Sequence, residues 1–408
     1  MALLAFLRTN AAWLSAGALL TFLSSFGQTF FISVFAGRIR EEFGLGLGDW
    51  GLIYTVGTGA SAVVMVWSGG LTDRFRARTL AVVVLSMLAL ACVAMSLATS
   101  VVVLTGVIFL LRFTGQGMTS HIAIVAMSRW FVATRGRALS IATMGFALGE
   151  AFLPLIFVAL LATAEWRMLW LAAAVIVLVG LGVVLLLLRT ERTPQSVAET
   201  NASTGMEGRH WTRAEALRHW LFWLVVPVIS GPPAFVTTFF FHQVYFAEVK
   251  GWPLFSQVSL YPAYTLFGLL MVFGWGAALD RTGTGRLLPF AYLPISVAFL
   301  IFGTAQSLGV VALGLGFMAV TVGAQSTLPM AFWAEYFGTR HIGSIKAAAA
   351  AAMVMGSALG PGVTGVLIDA GIGIQSLYLG IAGWFLISSG AMALGMKRAQ
   401  ALMPRAAG

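Results

Sequence analysis

Met144-Gly-Phe-Ala-Leu-Gly149 returns 211 residues later as Met355-Gly-Ser-Ala-Leu-Gly360. Gly69-Gly-Leu-Thr-Asp73-Arg74 returns 207 residues later as Gly276-Ala-Ala-Leu-Asp280-Arg281. Two matches at nearly one offset mark an internal repeat, so the chain reads as two similar parts in tandem. The first motif lies inside an apolar run and the second at the end of one, in corresponding places of the two parts.

A helix rising about 1.5 Å per residue crosses a hydrocarbon layer about 30 Å thick in roughly 20 residues. Twelve runs reach that size: 12–36, 48–70, 79–98, 101–127, 138–162, 167–188, 219–247, 257–279, 287–306, 309–334, 344–368 and 374–395. They are far longer than the roughly ten alternating residues of a membrane barrel strand. Arg8 followed by Ala16-Gly-Ala18 imitates a signal peptide, but the apolar run continues through Phe35, too long for a signal core.

Composition agrees. Of 408 residues, 24 are Lys or Arg and 14 are Asp or Glu, 9% of the chain against 59% apolar, and the mean hydropathy is +0.93. Soluble domains carry about 25% charged residues. A soluble globule, a disordered chain, a coiled coil and a disulfide scaffold are excluded. The expected fold is an all-α membrane protein with 12 transmembrane helices in two pseudo-symmetric six-helix bundles. Residues 1–188 form the first, 189–218 a cytoplasmic linker, and 219–408 the second. Thr212-Arg-Ala-Glu215 has capping-box spacing and predicts a short interfacial helix in that linker.

The net charge of +10 describes topology. Nineteen of the 24 basic residues fall in the even-numbered loops and the two tails, against Arg38, Arg40, Arg167 and Lys250 in the odd-numbered loops. The positive-inside rule therefore places both termini in the cytoplasm of an inner-membrane protein. No clustered basic face for nucleic acid is visible, and the only cysteine, Cys92, lies in an apolar run. The remaining basic residue, Arg112, lies inside the fourth span.

The motifs resemble those of the major facilitator superfamily along essentially the whole chain. The family's loop signature after span two is matched by Gly69, Asp73, Arg74 and Arg78, with Arg76 where the family has Gly and Ala77 where it has a base. A second copy has Gly276, Asp280, Arg281, Gly283 and Arg286. Span four carries Arg112-Phe-Thr-Gly-Gln116-Gly117, and span five is glycine-rich. The resemblance implies a secondary transporter with its site between the bundles near the midplane. It also implies a conformational latch at Gly69, Asp73, Arg74 and Arg78, repeated at Asp280 and Arg281. Simple obedience to the positive-inside rule is the other account of these arginines.

Two charges sit at mid-membrane depth, Arg112 in span four and Glu150 about 12 residues into span five. An isolated charge there costs several kcal/mol, so each is expected to face a partner or a wet cavity. Glu150 stands where superfamily antiporters commonly have proline, and its repeat counterpart is Pro361. It is read as the proton carrier and Arg112 as its partner or as the anchor of an anionic substrate; a static ion pair between the two spans is the alternative. His121 either extends the proton path or packs. Gln28, Tyr54, Gln116, Phe239, His242, Tyr264, Gln325 and Trp333 are the further candidates for the cavity wall. Gly231-Pro-Pro233 is expected to break span seven.

Span-four and span-five text such as Arg129-Trp-Phe and Arg135-Gly-Arg-Ala-Leu is similar to the monocarboxylate and oxalate–formate branch, although span eight has no basic residue. The resemblance thus implies a proton-coupled transporter of a small organic solute, a carboxylate above all, working as a monomer by alternating access. Proton-driven efflux of hydrophobic, drug-like compounds is the alternative. The embedded polar residues show no nucleophile, metal or phosphate motif, so neither an enzyme nor a cofactor is expected.

Overall fold

The computed structural model describes residues 2–131, 134–190 and 204–403. Every regular element among them is a helix. Eleven helices are long and apolar enough to cross a membrane, and a twelfth span is a bent pair, Phe6–Gly27 and Thr29–Phe43, meeting at 48°. The others are Leu47–Ser68, Ala77–Leu97, Val101–Trp130, Gly136–Leu161, Trp166–Leu187, Trp220–Phe241, Leu254–Thr282, Thr284–Thr304, Leu308–Phe337, Ser344–Asp369 and Ile374–Gln400. These are the twelve runs read from the sequence, numbered below as spans one to twelve.

The chain divides into two compact units. One holds residues 2–190 with Phe240–Pro262, the other residues 204–239 with 263–403. In each, the repeated Met-Gly-x-Ala-Leu-Gly of the fifth span of the repeat is a place of close helix approach. A Cβ on Gly145 would stand 1.8 Å from the Ala18 carbonyl oxygen, and one on Gly149 would stand 2.0 Å from Ser25 Oγ. In the second unit a Cβ on Gly360 would stand 2.7 Å from both the Ala234 carbonyl oxygen and Thr238 Oγ1. Small residues let membrane helices pack backbone to backbone, which is why the motif occurs twice. Thr21 Oγ1 adds a hydrogen bond to the Ala142 carbonyl across the same contact.

The repeat extends to helix caps. Ser100 Oγ accepts from Val103 N at 3.3 Å where span four begins, and Ser307 Oγ accepts from Val310 N at 3.4 Å where span ten begins. Each satisfies one of the first N–H groups that a helix leaves without an internal acceptor.

Two spans depart from the sequence reading. Span one, read as continuous, breaks at Gln28, whose backbone is extended (φ −88°, ψ 153°) after a 3₁₀ turn at Ser24–Gly27. Span seven, expected to break at Gly231-Pro-Pro233, stays helical from Trp220 to Phe241, with Pro227, Pro232 and Pro233 inside. Pro233 has no N–H to give the Ile229 carbonyl, four residues earlier. Gln325 of span ten supplies the missing donor, its Nε2 lying 2.8 Å from that oxygen.

Before span seven, Arg213–Arg218 is a short helix. Thr212 Oγ1 accepts from Glu215 N at 3.4 Å, and Glu215 Oε2 accepts from Thr212 N at 2.8 Å. The Thr212 hydroxyl, then its N–H, hold the Glu215 carboxyl below its ordinary pKa. Trp211 N donates to the Phe337 carbonyl at 3.1 Å and ties this segment to the end of span ten.

Candidate functional site

The break in span one leaves the Gly27 carbonyl without its helical partner, because Phe31 N, four residues on, donates to Gln28 O instead. Arg112 fills the gap. Its Nη1 donates to the Gly27 carbonyl at 3.0 Å and to Thr29 Oγ1 at 3.3 Å, the residues on either side of the extended Gln28. Thr29 Oγ1 is in turn 2.5 Å from the Tyr54 hydroxyl of span two, and the Arg112 guanidinium lies over the Tyr54 ring at 5.3 Å. Such a cation–π contact contributes about 0.5–2 kcal/mol, more as water is removed. Arg112 is 1% exposed and Tyr54 fully buried.

Span four reaches this place through an unusual turn. Residues Arg112–Thr119 form a π-helical segment, a wider coil that recurs at functional sites. Two of its hydroxyls bond backward, Thr114 Oγ1 to Leu110 O and Thr119 Oγ1 to Thr114 O, both at 2.7 Å. Gly115 allows the approach to the break in span one, for a Cβ on it would lie 2.6 Å from Gly27 Cα. Nothing in the periodicity of the sequence announces this contact; the signal available was the pair of glycines, and glycine is frequent throughout the chain.

Of the five guanidinium N–H groups of Arg112, Nε is buried and makes no hydrogen bond within the protein, and the same holds for the hydroxyl of Thr58. Thr58 lies one helical turn after Tyr54 in span two. Buried donors without acceptors are rare and costly, more so when charged.

Glu150 is half-buried in span five and within electrostatic reach of the Tyr261 phenol at the start of Tyr261–Thr282. Tyr261 donates to Gln243 Oε1 at 2.6 Å, and Gln243 Nε2 donates to Ser33 Oγ at 2.8 Å and to the Phe30 carbonyl at 3.2 Å. Gln257 Nε2 reaches the Gln243 carbonyl at 3.5 Å. The carboxylate thus borders a buried polar network that runs back to span one just beyond its break. Sequence reasoning passed over Gln257 and Ser33, because uncharged polar residues near span ends are common.

The remaining candidates fall in different places. Gln28 is the extended residue of the break itself, and Gln116 is half-buried in the π-helical segment. His242 ends span seven, edge-on to Phe241 at 5.0 Å. His121 Nε2 lies 3.1 Å from the Gly69 carbonyl and 3.4 Å from Thr72 Oγ1, at the end of span two. Arg129 Nη1 donates to the Thr72 carbonyl at 2.6 Å in the same region. Arg74, Arg78, Asp280 and Arg281 are exposed, and the Asp73 side chain lies outside the described residues.

In the second unit, Gln325 spends both ends of its amide, since Tyr292 donates to its Oε1 at 2.9 Å while its Nε2 holds the Ile229 carbonyl. Phe239 stacks on Phe302 at 4.5 Å, and Trp333 packs against Phe222, Phe332 and Phe337. Tyr264 is buried. Among the described residues, no group of three His, Cys, Asp or Glu is placed to hold a metal ion.

The sequence pattern of the Major Facilitator Superfamily matches residues 17–328. The chain belongs to that superfamily. It is thus a multi-pass membrane transporter for small solutes and not an enzyme. Among curated proteins, the probable sulfoacetate transporter SauU of Cupriavidus necator is 28% identical over 337 residues, 76% of this chain and 77% of its own. Two solved structures share the fold at low identity. A bacterial homolog of the human lysosomal transporter Spinster, inward-facing and unoccupied, has a TM-score of 0.72 and 17% identity, over 98% of this chain and 99% of that one. The nucleoside transporter NupG has a TM-score of 0.72 and 13% identity, over 95% of this chain and 99% of that one.

Proposed function

We propose that this facilitator is a proton-coupled transporter of a small organic anion, carrying a carboxylate or sulfonate group, that works by alternating access. The observation that carries the reading is the buried Arg112, whose Nε has no acceptor within the protein. A solute oxyanion supplies that acceptor and neutralises a charge the membrane interior otherwise penalises. The relatedness to a probable sulfoacetate transporter supports the same solute class.

Glu150 is the proton carrier, and the Tyr261–Gln243–Ser33 network links its protonation to span one. The two six-span repeats, 1–188 and 219–408, act as the moving bodies, joined by 189–218. The signature at Gly69, Asp73, Arg74 and Arg78, with Asp280 and Arg281, latches them on the cytoplasmic side of the inner membrane, where both termini lie; the transporter works as a monomer. Efflux of hydrophobic compounds is the weaker reading, because Phe239 and Trp333, two of the aromatics that suggest it, are engaged in ring packing.

Purified protein in liposomes tests the reading. Radiolabelled sulfoacetate is expected to accumulate when the pH is lower on the side of the solute, and unlabelled carboxylates of similar size are expected to compete. Uptake no faster than in protein-free liposomes, with sulfoacetate and with each of those carboxylates, would sink it.

A further inference from the structure

The Arg112 guanidinium is a flat fork with donors along each edge, and the protein occupies only one end of it. Both hydrogen bonds shown for Arg112 leave from Nη1, to the Gly27 carbonyl at 3.0 Å and to Thr29 Oγ1 at 3.3 Å. Thr29 cannot drift, because it is 8% exposed and its oxygen is held 2.5 Å from the Tyr54 hydroxyl. The Tyr54 ring then lies beneath the guanidinium carbon. Two oxygens, one on each side of the Gln28 break, thus fix how the fork is turned. The edge carrying Nε is left over.

We propose that Thr29, with the Gly27 carbonyl, is a positioning residue that turns Arg112 so that its Nε edge meets the oxyanion of the solute. This rests on the reading of Arg112 as the anion anchor. Paired donors on one edge of a guanidinium fit two oxygens of a single group, as in carboxylate and sulfonate, and are stronger and more directional than a point contact. The site therefore selects solutes with at least two oxygens on one anionic centre. It discriminates against phenolates and alcohols, which offer one. Since the clamp is made from the two sides of the break in span one, the bend of that span and the orientation of the anchor are set together.

The test uses the full chain, purified and reconstituted, with sulfoacetate as the probe and three variants: Thr29→Val, Thr29→Ser and Arg112→Lys. Losing a hydrogen bond to a charged group is expected to raise KM for sulfoacetate about tenfold or more in Thr29→Val, with kcat within about twofold. Thr29→Ser keeps the hydroxyl and stays near the wild type. Arg112→Lys keeps the charge, loses the fork and raises KM as well.

A second readout needs no solute. Phenylglyoxal modification of Arg112, followed by peptide mass, is expected to run several times faster in Thr29→Val than in the wild type or Thr29→Ser. If both KM and modification rate of Thr29→Val match the wild type while Arg112→Lys loses affinity, the positioning role is overturned and the anion reading stands. If the wild type does not move sulfoacetate yet Thr29→Val is modified faster, the anion reading falls and the positioning role survives. Equal loss in Thr29→Val and Thr29→Ser would overturn the inference, since the hydroxyl would then be irrelevant.

Discussion

Arg112 Nη1 stands 3.0 Å from the carbonyl oxygen of Gly27, so the buried charge of span four is also the cap of the broken first span. Two roles meet in one side chain, and they are separable. Arg112→Gln retains an amide donor for the Gly27 carbonyl but removes the charge. Its melting temperature in detergent is expected to stay near that of the wild type, while sulfoacetate binding is lost. Arg112→Ala leaves the carbonyl without a donor and is expected to cost about 1–3 kcal/mol of stability as well. Equal stability of the Gln and Ala variants would remove the capping role.

The second unit places an uncharged version of this cap on span seven. Pro233 frees the Ile229 carbonyl, and Gln325 Nε2 takes it at 2.8 Å. Gln325→Leu is expected to destabilise by about 1–3 kcal/mol, the cost of an unsatisfied buried acceptor. Pro233→Ala restores an N–H inside the helix, so the double variant is expected to recover the part of that loss owed to the Ile229 carbonyl, while the Tyr292 hydroxyl, which also loses its Gln325 partner, stays unsatisfied. Additive losses in the double-mutant cycle would show that Gln325 serves span seven in another way.

Much of the architecture was legible in the sequence because a membrane leaves few options. A segment of some 20 apolar residues must satisfy its own backbone and therefore be helical, and all twelve runs are built of helix, with span one interrupted at Gln28. The hexapeptide at Met144 and Met355 was legible as a repeat, though its purpose was not. That purpose is the close approach of Gly145 to Ala18 and of Gly360 to Ala234, which depends on where a distant stretch of chain lies. The two helix irregularities were misread for different physical reasons. Proline reports only the loss of a donor, and the structure shows whether a neighbour such as Gln325 replaces it. Gln28 carries no breaking signal of its own. Arg112 and Glu150 were visible as charges in an apolar sequence, whereas Ser33 and Gln257 become conspicuous only through their partners.

Close packing at the repeated glycines gives a graded stability test. Gly145→Ala sets a methyl 1.8 Å from a backbone oxygen, which a side-chain rotation cannot relieve, and a loss of about 1–3 kcal/mol or more is expected. Gly149→Ala meets the Ser25 side chain, with Oγ at 2.0 Å and Cβ at 2.7 Å, so adding Ser25→Gly is expected to restore stability. Gly59→Ala, with nothing within 4 Å of its Cβ, serves as the neutral control. Thermal unfolding in one detergent ranks the four, and a Gly145→Ala protein as stable as Gly59→Ala would contradict the contact.

Proton coupling is tested where the buried polar network meets its carboxylate. Glu150→Gln preserves shape and a hydrogen-bonding amide but cannot bind or release a proton, so sulfoacetate uptake is expected to lose its acceleration by an imposed pH gradient. Counterflow exchange at equal pH is expected to survive, because it needs no net proton movement. His121→Gln keeps a donor for the Gly69 carbonyl, which His121 Nε2 meets at 3.1 Å, and is expected to leave gradient-driven uptake intact. If instead Glu150→Gln remains gradient-driven and His121→Gln does not, the proton site moves to span four. Glu150 would then be a structural member of the network around Tyr261.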